Sequence, residues 1–279
     1  MNPARLRPYV AAFVSRYQLT LQYRAAALAG FATQCWFGAV KVMVIAAFYA
    51  TAPAAAAVAP ITLSQAITYT WLGQGLLALL PWAADPEVAS SVRTGAVGYD
   101  RMRPVDTYGF WYARAAGWMT ARAVPRATLM IVFAGIALPL MGFPDWSWQP
   151  PPSPEAAVLF AMALCLMIAL AASVIILANV LVAITLNDRG VNTLLMPTVI
   201  VFSGSLLPLQ LLPDAWRTAL FLQPFAGLMD IPFRIYAGNL TGLSALAGLG
   251  LQAFWTMILV LCGRTLLERA MRDLQVQGG

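Results

Sequence analysis

Histidine does not occur in this 279-residue sequence, and Lys41 is its only lysine. Histidine is the side chain most often used as a general base near neutral pH and as a zinc ligand, so its absence argues against most hydrolases and metalloenzymes. The phosphate-binding loop G-x-x-x-x-G-K-[ST] needs a lysine for the β- and γ-phosphates, and Lys41 follows Gly38, Ala39 and Val40 in an apolar run. We therefore expect no nucleotide hydrolysis by that mechanism, and no enzymatic activity or cofactor in this chain by itself.

Charged residues are scarce, because they make up 10% of the sequence against roughly 25% in soluble domains, while 61% of the residues are hydrophobic. This balance predicts an integral membrane protein. At about 20 apolar residues per span, the chain has room for six spans and no separate soluble domain. Cys35, Cys165 and Cys262 lie in apolar segments with no short spacing between them, and we interpret them as small hydrophobic residues in helices.

The apolar pattern predicts an all-α integral membrane protein in two parts. Residues 1–24 are predicted to form a cytoplasmic amphipathic helix, because Val10, Phe13 and Val14 recur at helical spacing among arginines, as in helices that lie in the membrane interface. A plain cytoplasmic extension of the first span is the alternative. Residues 25–279 are predicted to form a single transmembrane domain. Its six transmembrane helices are predicted at about 25–50, 61–82, 121–142, 156–186, 191–212 and 241–263.

Two intervals separate these spans in unusual ways. Residues 83–120 form the longest polar interval, in which the helical pattern resumes at about Thr107, well before the third span. Residues 213–240 are apolar but contain three prolines, so they cannot span as one helix. Irregular backbone at membrane depth must be buried in protein or beside water. We therefore predict a re-entrant or outer-surface helical hairpin for 213–240, with a plain amphipathic outer loop as an open alternative.

The arginines set the predicted orientation. Fourteen of the sixteen lie in the N-terminal segment, in residues 83–126, at Arg189 or in the C-terminal tail, and only Arg217 and Arg234 lie on the other side. By the positive-inside rule, both termini and the 83–120 interval are cytoplasmic. The net charge of +6 is then explained by membrane lipids and topology, and nucleic acid is not an expected partner.

Polar side chains inside the predicted spans are candidates for a translocation path. An ammonium at the position of Lys41 costs about 2.5–3.5 kcal/mol on insertion scales, and such a residue usually faces a bundle interior or a water-filled cavity. Snorkelling to the outer headgroups is the alternative for Lys41. The other candidates are Gln34, Trp36, Tyr69 and Gln74 on the first two spans and Asn192, Thr198 and Ser203 on the fifth. For the polar residues of the fifth span, hydrogen bonding between helices is the favoured interpretation, and a place on the translocation path is the alternative.

Two stretches resemble the permease subunits of type-2 ABC transporters, and within them the small six-span bacterial exporter permeases. The first is SSVRTGAVGYDRMRPVDTYGF, which is similar to the family's cytoplasmic segment between the second and third spans. The second is FSGSLLPLQLLPDAWRTALFLQPFAGLMDIPFRIYAGN, which is similar to the end of the fifth span and the outer hairpin. The resemblance covers nearly the whole chain.

This resemblance implies a permease pair, identical or different, above two ABC ATPase subunits that bind ATP and Mg, in the bacterial cytoplasmic (inner) membrane. The substrate path would run between the two permeases, and export is implied by the family alone. A coupling helix within residues 87–97 would sit in a groove of the ATPase, and the amphipathic helix of residues 1–24 would touch it as well. The implied ATPase-coupling residues are Glu87, Val88, Arg93, Gly95, Asp100, Arg103 and Pro104.

A secondary transporter or channel that needs no ATPase is the main rival hypothesis. Such proteins often contain internal repeats and several ionisable residues near the membrane centre. The sequence has no evident repeat, and Lys41 is the only ionisable residue near the middle of a predicted span. An enzyme acting on lipid is a weaker alternative, because no span carries paired carboxylates or histidine.

Overall fold

The computed structural model describes residues 3–22, 24–53 and 57–273, and within these ranges the chain is helical without β-strands. The all-α prediction is thus confirmed for this part of the chain, while the ends of the predicted segments 1–24 and 25–279 lie partly outside it. The helices are α1 (Pro3–Leu21), α2 (Arg24–Thr51), α3 (Leu63–Leu76), α4 (Pro86–Arg93), α5 (Val97–Arg101), α6 (Thr107–Leu140), α7 (Pro154–Thr185), α8 (Asp188–Phe202), α9 (Asp214–Leu222), α10 (Asp230–Tyr236) and α11 (Gly242–Asp273).

Four of these helices are long and apolar enough to cross a membrane. They are Ala27–Thr51 of α2, Thr107–Leu140 of α6, Pro154–Thr185 of α7 and Gly242–Arg272 of α11. A crossing needs about 20 residues at a rise of 1.5 Å each, and the shortest of these stretches has 25 residues. The chain is therefore a helical protein of the kind that resides in membranes.

Helices α3 and α8 occupy the predicted second and fifth spans but are shorter than a full crossing. Helix α3 has 14 residues, begins at a capping box formed by Thr62 and Gln65, and tightens into a 3-10 turn at Leu77–Leu79. Helix α8 has 15 residues and stops at Phe202, just before Gly204 takes a left-handed backbone conformation with φ +84°. At 1.5 Å per residue each helix is about 21–23 Å long, so irregular backbone takes up the rest of each predicted span.

Helix α7 is the centre of the core. Its middle turns are buried all round, including Leu170, Ile175 and Ile176, and it packs against α6, α10 and α11. A helix that is apolar on every face belongs inside a bundle, which explains the long uninterrupted apolar run of this segment. The principal buried cluster joins it to Trp111 and Met119 of α6.

The N-terminal helix α1 lies directly against α6. A Cβ atom at Gly117 would lie 2.5 Å from the carbonyl oxygen of Phe13, and one at Gly109 would lie 3.0 Å from the ring of Tyr9. The two backbones therefore approach closely because α6 carries glycine at both points. Through this contact α1 reaches the polar interval that precedes α6.

Helix α6 contains a π-helical segment over Phe133–Ala137, in which the N–H of Leu138 donates to the carbonyl of Phe133. The carbonyl of Ala134 would next receive a donor from residue 139, but Pro139 has no N–H. The N–H of Trp148, in the loop before α7, donates to this carbonyl at 3.0 Å instead. The helix is thus joined to the loop that follows it.

The proline-interrupted interval 213–240 contains two short helices, α9 and α10, separated by a 3-10 turn at Pro224–Gly227. With nine and seven residues, neither is long enough to cross a membrane. Helix α10 is buried along nearly its whole length, against α7 and α11.

Candidate functional site

Helices α4 and α5 and the turn between them form a surface that we call the coupling face, residues 86–104. Asp85 caps α4 by accepting a hydrogen bond from the N–H of Glu87 at 2.9 Å, and Pro86 occupies the first helical turn. Val88 and Val92 are buried in the main core. Val88, predicted as a coupling residue, therefore holds the helix in place from beneath.

Two asparagines of the long helices fix the start of α4. The side-chain oxygen of Asn179 on α7 accepts a hydrogen bond from the N–H of Asp85 at 2.7 Å, and that of Asn192 on α8 accepts one from the N–H of Ala84 at 2.9 Å. The Asn179 side chain is buried, with 1% of its residue surface exposed. Asn192, predicted to line a translocation path, instead connects α8 to the coupling face.

Glu87 joins the coupling face to two further helices. Its carboxylate forms ion pairs with Arg16 of α1 and with Arg114 of α6, and Arg16 also lies 3.6 Å from the carboxylate of Asp85. Partial burial raises the pKa of the Glu87 carboxyl, but the two guanidinium groups outweigh this effect and hold the pKa below its ordinary value. Glu87 is therefore held as a carboxylate between α1, α4 and α6.

Arg93 and Gly95 lie at the turn between α4 and α5. The guanidinium of Arg93 donates to the carboxylate of Asp188 at 3.0 Å, which connects the end of α4 to the start of α8. The Arg93 side chain remains 55% exposed. Gly95 has φ +74°, and nothing lies within 4 Å of the place where a Cβ would stand, so the turn projects into open space.

Asp100, Arg103 and Pro104 complete the predicted coupling residues. The carboxylate of Asp100 accepts a hydrogen bond from the indole N–H of Trp111 at 3.0 Å and lies 3.4 Å from the guanidinium of Arg103, whose charge lies 4.6 Å from the ring centre of Phe110. Pro104 and Arg103 are exposed. These contacts fold the end of α5 back onto the first turns of α6.

Two exposed apolar residues, which sequence reasoning missed, complete the coupling face. Tyr99 is 68% exposed and Met102 is 71% exposed, although both are large and apolar. They are three residues apart and so lie on one side of a helical turn. Their position in the longest polar interval was the available signal, because that interval is predicted to lie outside the lipid.

Three of the predicted path residues meet at a cavity of about 350 Å³ between α2 and α3. Lys41 and Gln74 line it together with Tyr69 and the backbone that follows α8, residues 205–208. The ammonium of Lys41 donates to the carbonyl of Ser205 at 2.8 Å. The side-chain oxygen of Gln74 is buried and has no hydrogen-bond partner among the described residues. We call this space the Lys41 cavity.

The remaining predicted path residues lie elsewhere. Trp36 is 69% exposed on the outside of α2, and Gln34 is on the same helix but does not line the Lys41 cavity. Thr198 donates to the carbonyl of Leu194 within α8 and lines a separate cavity between α7 and α8. Ser203 is buried just beyond the end of α8, where its hydroxyl accepts from the N–H of Ser205 at 3.2 Å.

A buried carboxylate holds the irregular backbone after α8. The N–H of Asp230 donates to the carbonyl of Ser203 at 3.1 Å, and its fully buried carboxylate accepts from the N–H of Leu209 at 3.0 Å. Arg234 lies 3.5 Å from the same carboxylate. Burial raises the pKa of Asp230 to about 6, against the opposing effects of Arg234 and the Leu209 N–H.

The segment 203–209 is therefore held from three sides. Lys41 of α2 binds the Ser205 carbonyl, Tyr69 of α3 donates to the Gly204 carbonyl at 3.0 Å, and Asp230 of α10 binds both ends of the segment. Irregular backbone deep in a membrane protein needs such partners, because lipid supplies none. Asp230 is one of only two acids in the apolar, proline-rich interval 213–240, and that contrast was the sequence signal for it.

Comparison with known proteins adds no family to this geometry. Neither the known protein-family models nor the curated proteins include a match to this chain. The resemblance to type-2 ABC permeases thus stays a prediction from its sequence motifs.

Proposed function

We propose that this chain is the membrane-spanning permease subunit of an ATP-driven ABC exporter, that it forms half of a translocation pathway, and that it couples to a separate ATPase. The observation that supports this proposal most directly is the coupling face. Short helices packed on the core present Tyr99 and Met102 at the surface, and their base is bonded to α1, α6, α7 and α8. Such a surface suits the transfer of a partner's movement into several membrane helices at once.

In this proposal α2, α3, α6, α7, α8 and α11 are the six spans, with both termini and the coupling face in the cytoplasm of a bacterium. The short helices α3 and α8 complete their crossings with irregular backbone. That arrangement is tolerated where the backbone is bonded within the protein, as residues 203–209 are. Helices α9 and α10 then form the outer hairpin between the fifth and sixth spans.

The proposed mechanism follows the bonds at the base of the coupling face. Two ATPase subunits that close on ATP and Mg would move α4 in each of the two permeases, whether these are identical or different. Asn179 and Asn192 would pass the displacement to α7 and α8, and the Glu87–Arg16 ion pair would pass it to α1. ATP binding would then change the free-energy difference between the inward-open and outward-open states.

The Lys41 cavity supplies a polar point along the proposed path. Its walls are mostly apolar, from residues such as Val40, Val44 and Leu206, and its polar groups include the Lys41 ammonium and the unpaired Gln74 oxygen. A pocket of this size with a few convergent polar groups is typical of small-molecule sites. A hydrophobic or amphiphilic cargo is the class that fits.

The test is purification from the native membrane in mild detergent, followed by mass-spectrometric identification of what remains bound. We expect a protein with Walker motifs, and we expect the double variant Tyr99→Asp, Met102→Asp to lose it. Val58→Asp is the control, because Val58 is equally exposed and apolar but lies between α2 and α3, away from the coupling face. Ion-driven transport by the purified chain alone in liposomes would instead favour a secondary transporter or channel.

A further inference from the structure

A second cavity, of about 590 Å³, lies where α1 meets α2 against the middle of α6. We call it the arginine pocket. Two arginines of α6, Arg122 and Arg126, lie in its wall, and the rest of the wall is mostly apolar. The other lining residues are Thr20, Leu21, Ala27, Leu28, Trp118, Ala121, Pro125 and Leu129.

The two arginines are four residues apart and so point to the same side of α6. Within the part of the chain that the structure describes, neither has a carboxylate within ion-pair distance. The Nε of Arg126 is buried without a hydrogen-bond partner. The guanidinium of Arg122 lies 4.6 Å from the ring centre of Trp118. Two positive groups beside apolar walls thus have no anion of the described chain to balance them.

The arginine pocket also lies at a defined depth. The guanidinium of Arg126 packs on Gly30 of α2, where a Cβ would lie 2.6 Å from Nη2. From Gly30 to the end of α2 at Thr51 the helix rises about 32 Å. The hydrocarbon core of a bilayer is about 30 Å thick. If α2 crosses completely, Arg126 lies at the boundary between acyl chains and headgroups, on the side of the coupling face.

We propose that the arginine pocket binds the phosphate of an anionic phospholipid. Guanidinium groups bind phosphate oxygens through two parallel hydrogen bonds, and basic pockets between membrane helices are suited to anionic headgroups. The apolar residues Leu21, Leu28 and Leu129 would contact the glycerol backbone and the first acyl carbons. Free inorganic phosphate has no apolar part that could contact these walls. The proposal rests on the depth and the lining alone and needs no ATPase partner.

A lipid at this position would connect α1, α2 and α6. Helix α1 ends at Leu21 and α2 begins at Arg24, so the pocket lies at the turn between them. The phosphate would fix the angle of this turn by binding α6 on the other side. In this way the bilayer composition would set how firmly α1, with its Arg16 contact to Glu87, is held.

The experiment measures phosphatidylglycerol bound to the purified chain by native mass spectrometry, after reconstitution with equal parts of phosphatidylglycerol and phosphatidylcholine. We expect selective retention of phosphatidylglycerol, and about a twenty-five-fold weaker binding in Arg122→Gln, Arg126→Gln, because each arginine near an anionic surface contributes about a factor of five. The control is Arg189→Gln, Arg269→Gln, which removes the same charge from exposed positions elsewhere. Equal loss in the control would overturn the proposal.

A second variant tests the pocket when the first is poorly folded. Ala27→Phe fills the space and leaves both charges in place, so it should also release phosphatidylglycerol, whereas Arg122→Lys, Arg126→Lys should keep most of it. Retention by Ala27→Phe would contradict the proposed position. Displacement of phosphatidylglycerol by millimolar inorganic phosphate would identify a soluble phosphate ligand and exclude the lipid.

Discussion

The side-chain oxygen of Asn192 accepts a hydrogen bond from the backbone N–H of Ala84 at 2.9 Å, across more than a hundred residues of sequence. Asn179 makes the same kind of bond to Asp85, the next residue. Two consecutive backbone donors just before α4 are therefore satisfied by side chains of α7 and α8. If α4 moves, either these bonds break or α7 and α8 move with it.

Replacing Asn179 by Ala should lower the free energy of unfolding by about 1–3 kcal/mol, because it leaves the buried N–H of Asp85 without an acceptor. Asn192→Ala should have a smaller effect, since Asn192 is only partly buried. Thermal unfolding in detergent and amide hydrogen exchange at Ala84 and Asp85 measure both effects. Thr198→Val is the control, because the Thr198 hydroxyl bonds only within α8. Unchanged exchange at Asp85 in Asn179→Ala would contradict the assignment.

The contact of α1 with the coupling face should weaken in acid. The pKa of Glu87 is lower in the folded chain than its ordinary value of 4.5, so its ion pairs contribute stability above about pH 4.5 and lose it as the pH falls through the folded pKa. Hydrogen exchange of α1 measured from pH 6 to pH 3 should show this loss. In Glu87→Gln, the amides of α1 should have weak protection from exchange at every pH. Glu155→Gln, an exposed acid at the start of α7, should behave as the wild type does.

Gly204 and Gly95 make a matched pair for backbone strain. Both have positive φ, but a Cβ at Gly204 would lie 2.5 Å from the hydroxyl of Tyr69, whereas one at Gly95 would meet nothing within 4 Å. Gly95→Ala should therefore lower the free energy of unfolding by only the strain of a left-handed alanine, about 1–2 kcal/mol. Gly204→Ala should cost more, since Tyr69 must move and lose its bond to the Gly204 carbonyl. Similar melting temperatures for the two variants would show that the segment after α8 can relax.

Asp230 should make the segment after α8 less stable as the pH rises. Its pKa is raised from 3.8 to about 6 by burial, so between these values the folded chain keeps a proton that the unfolded chain has released. The free energy of unfolding should then fall between about pH 4 and pH 6 and level off above. Asp230→Asn keeps an oxygen for the Leu209 N–H and should remove this pH dependence. If the free energy of unfolding of this variant still falls between about pH 4 and pH 6, Asp230 is not the cause of the pH dependence.

Replacing Lys41 separates its structural and transport roles. Lys41→Gln can still donate to the Ser205 carbonyl, whereas Lys41→Met cannot, so only the second should lower the melting temperature. If the cavity binds an anionic or polar group of the cargo, both variants should lower transport in reconstituted vesicles. Wild-type transport by Lys41→Gln would limit Lys41 to holding the backbone after α8.

The long apolar helices could be predicted because their signal is local. The apolar runs over α2, α7 and α11 exceed a membrane thickness, and the pattern of α6 resumes at Thr107, where the helix begins. The short lengths of α3 and α8 could not be predicted from the local sequence. Helix α8 stops because Gly204 and the bonds from Asp230 support an irregular backbone, and those partners are distant in sequence.

For the candidate sites too, geometry within one helix could be predicted and contacts between distant segments could not. Helical geometry already places Trp36 five residues before Lys41, on a different side of α2, so its absence from the Lys41 cavity could have been calculated. The meeting of Lys41 with Ser205 could not, because it depends on how α2 and the end of α8 are arranged in space. Arg93 was predicted only as an ATPase-coupling residue, and its ion pair with Asp188 depends on the same kind of contact.

The bond between the Ala134 carbonyl and the Trp148 N–H bears on which substitutions the loop before α7 can accept. It uses backbone atoms only, so many residues could replace Trp148 without losing it. Pro139 is different, because any other residue there would bring its own N–H to compete for the carbonyl. Among sequence variants of this protein, this backbone bond should therefore be more sensitive to residue 139 in the helix than to the identity of residue 148 in the loop.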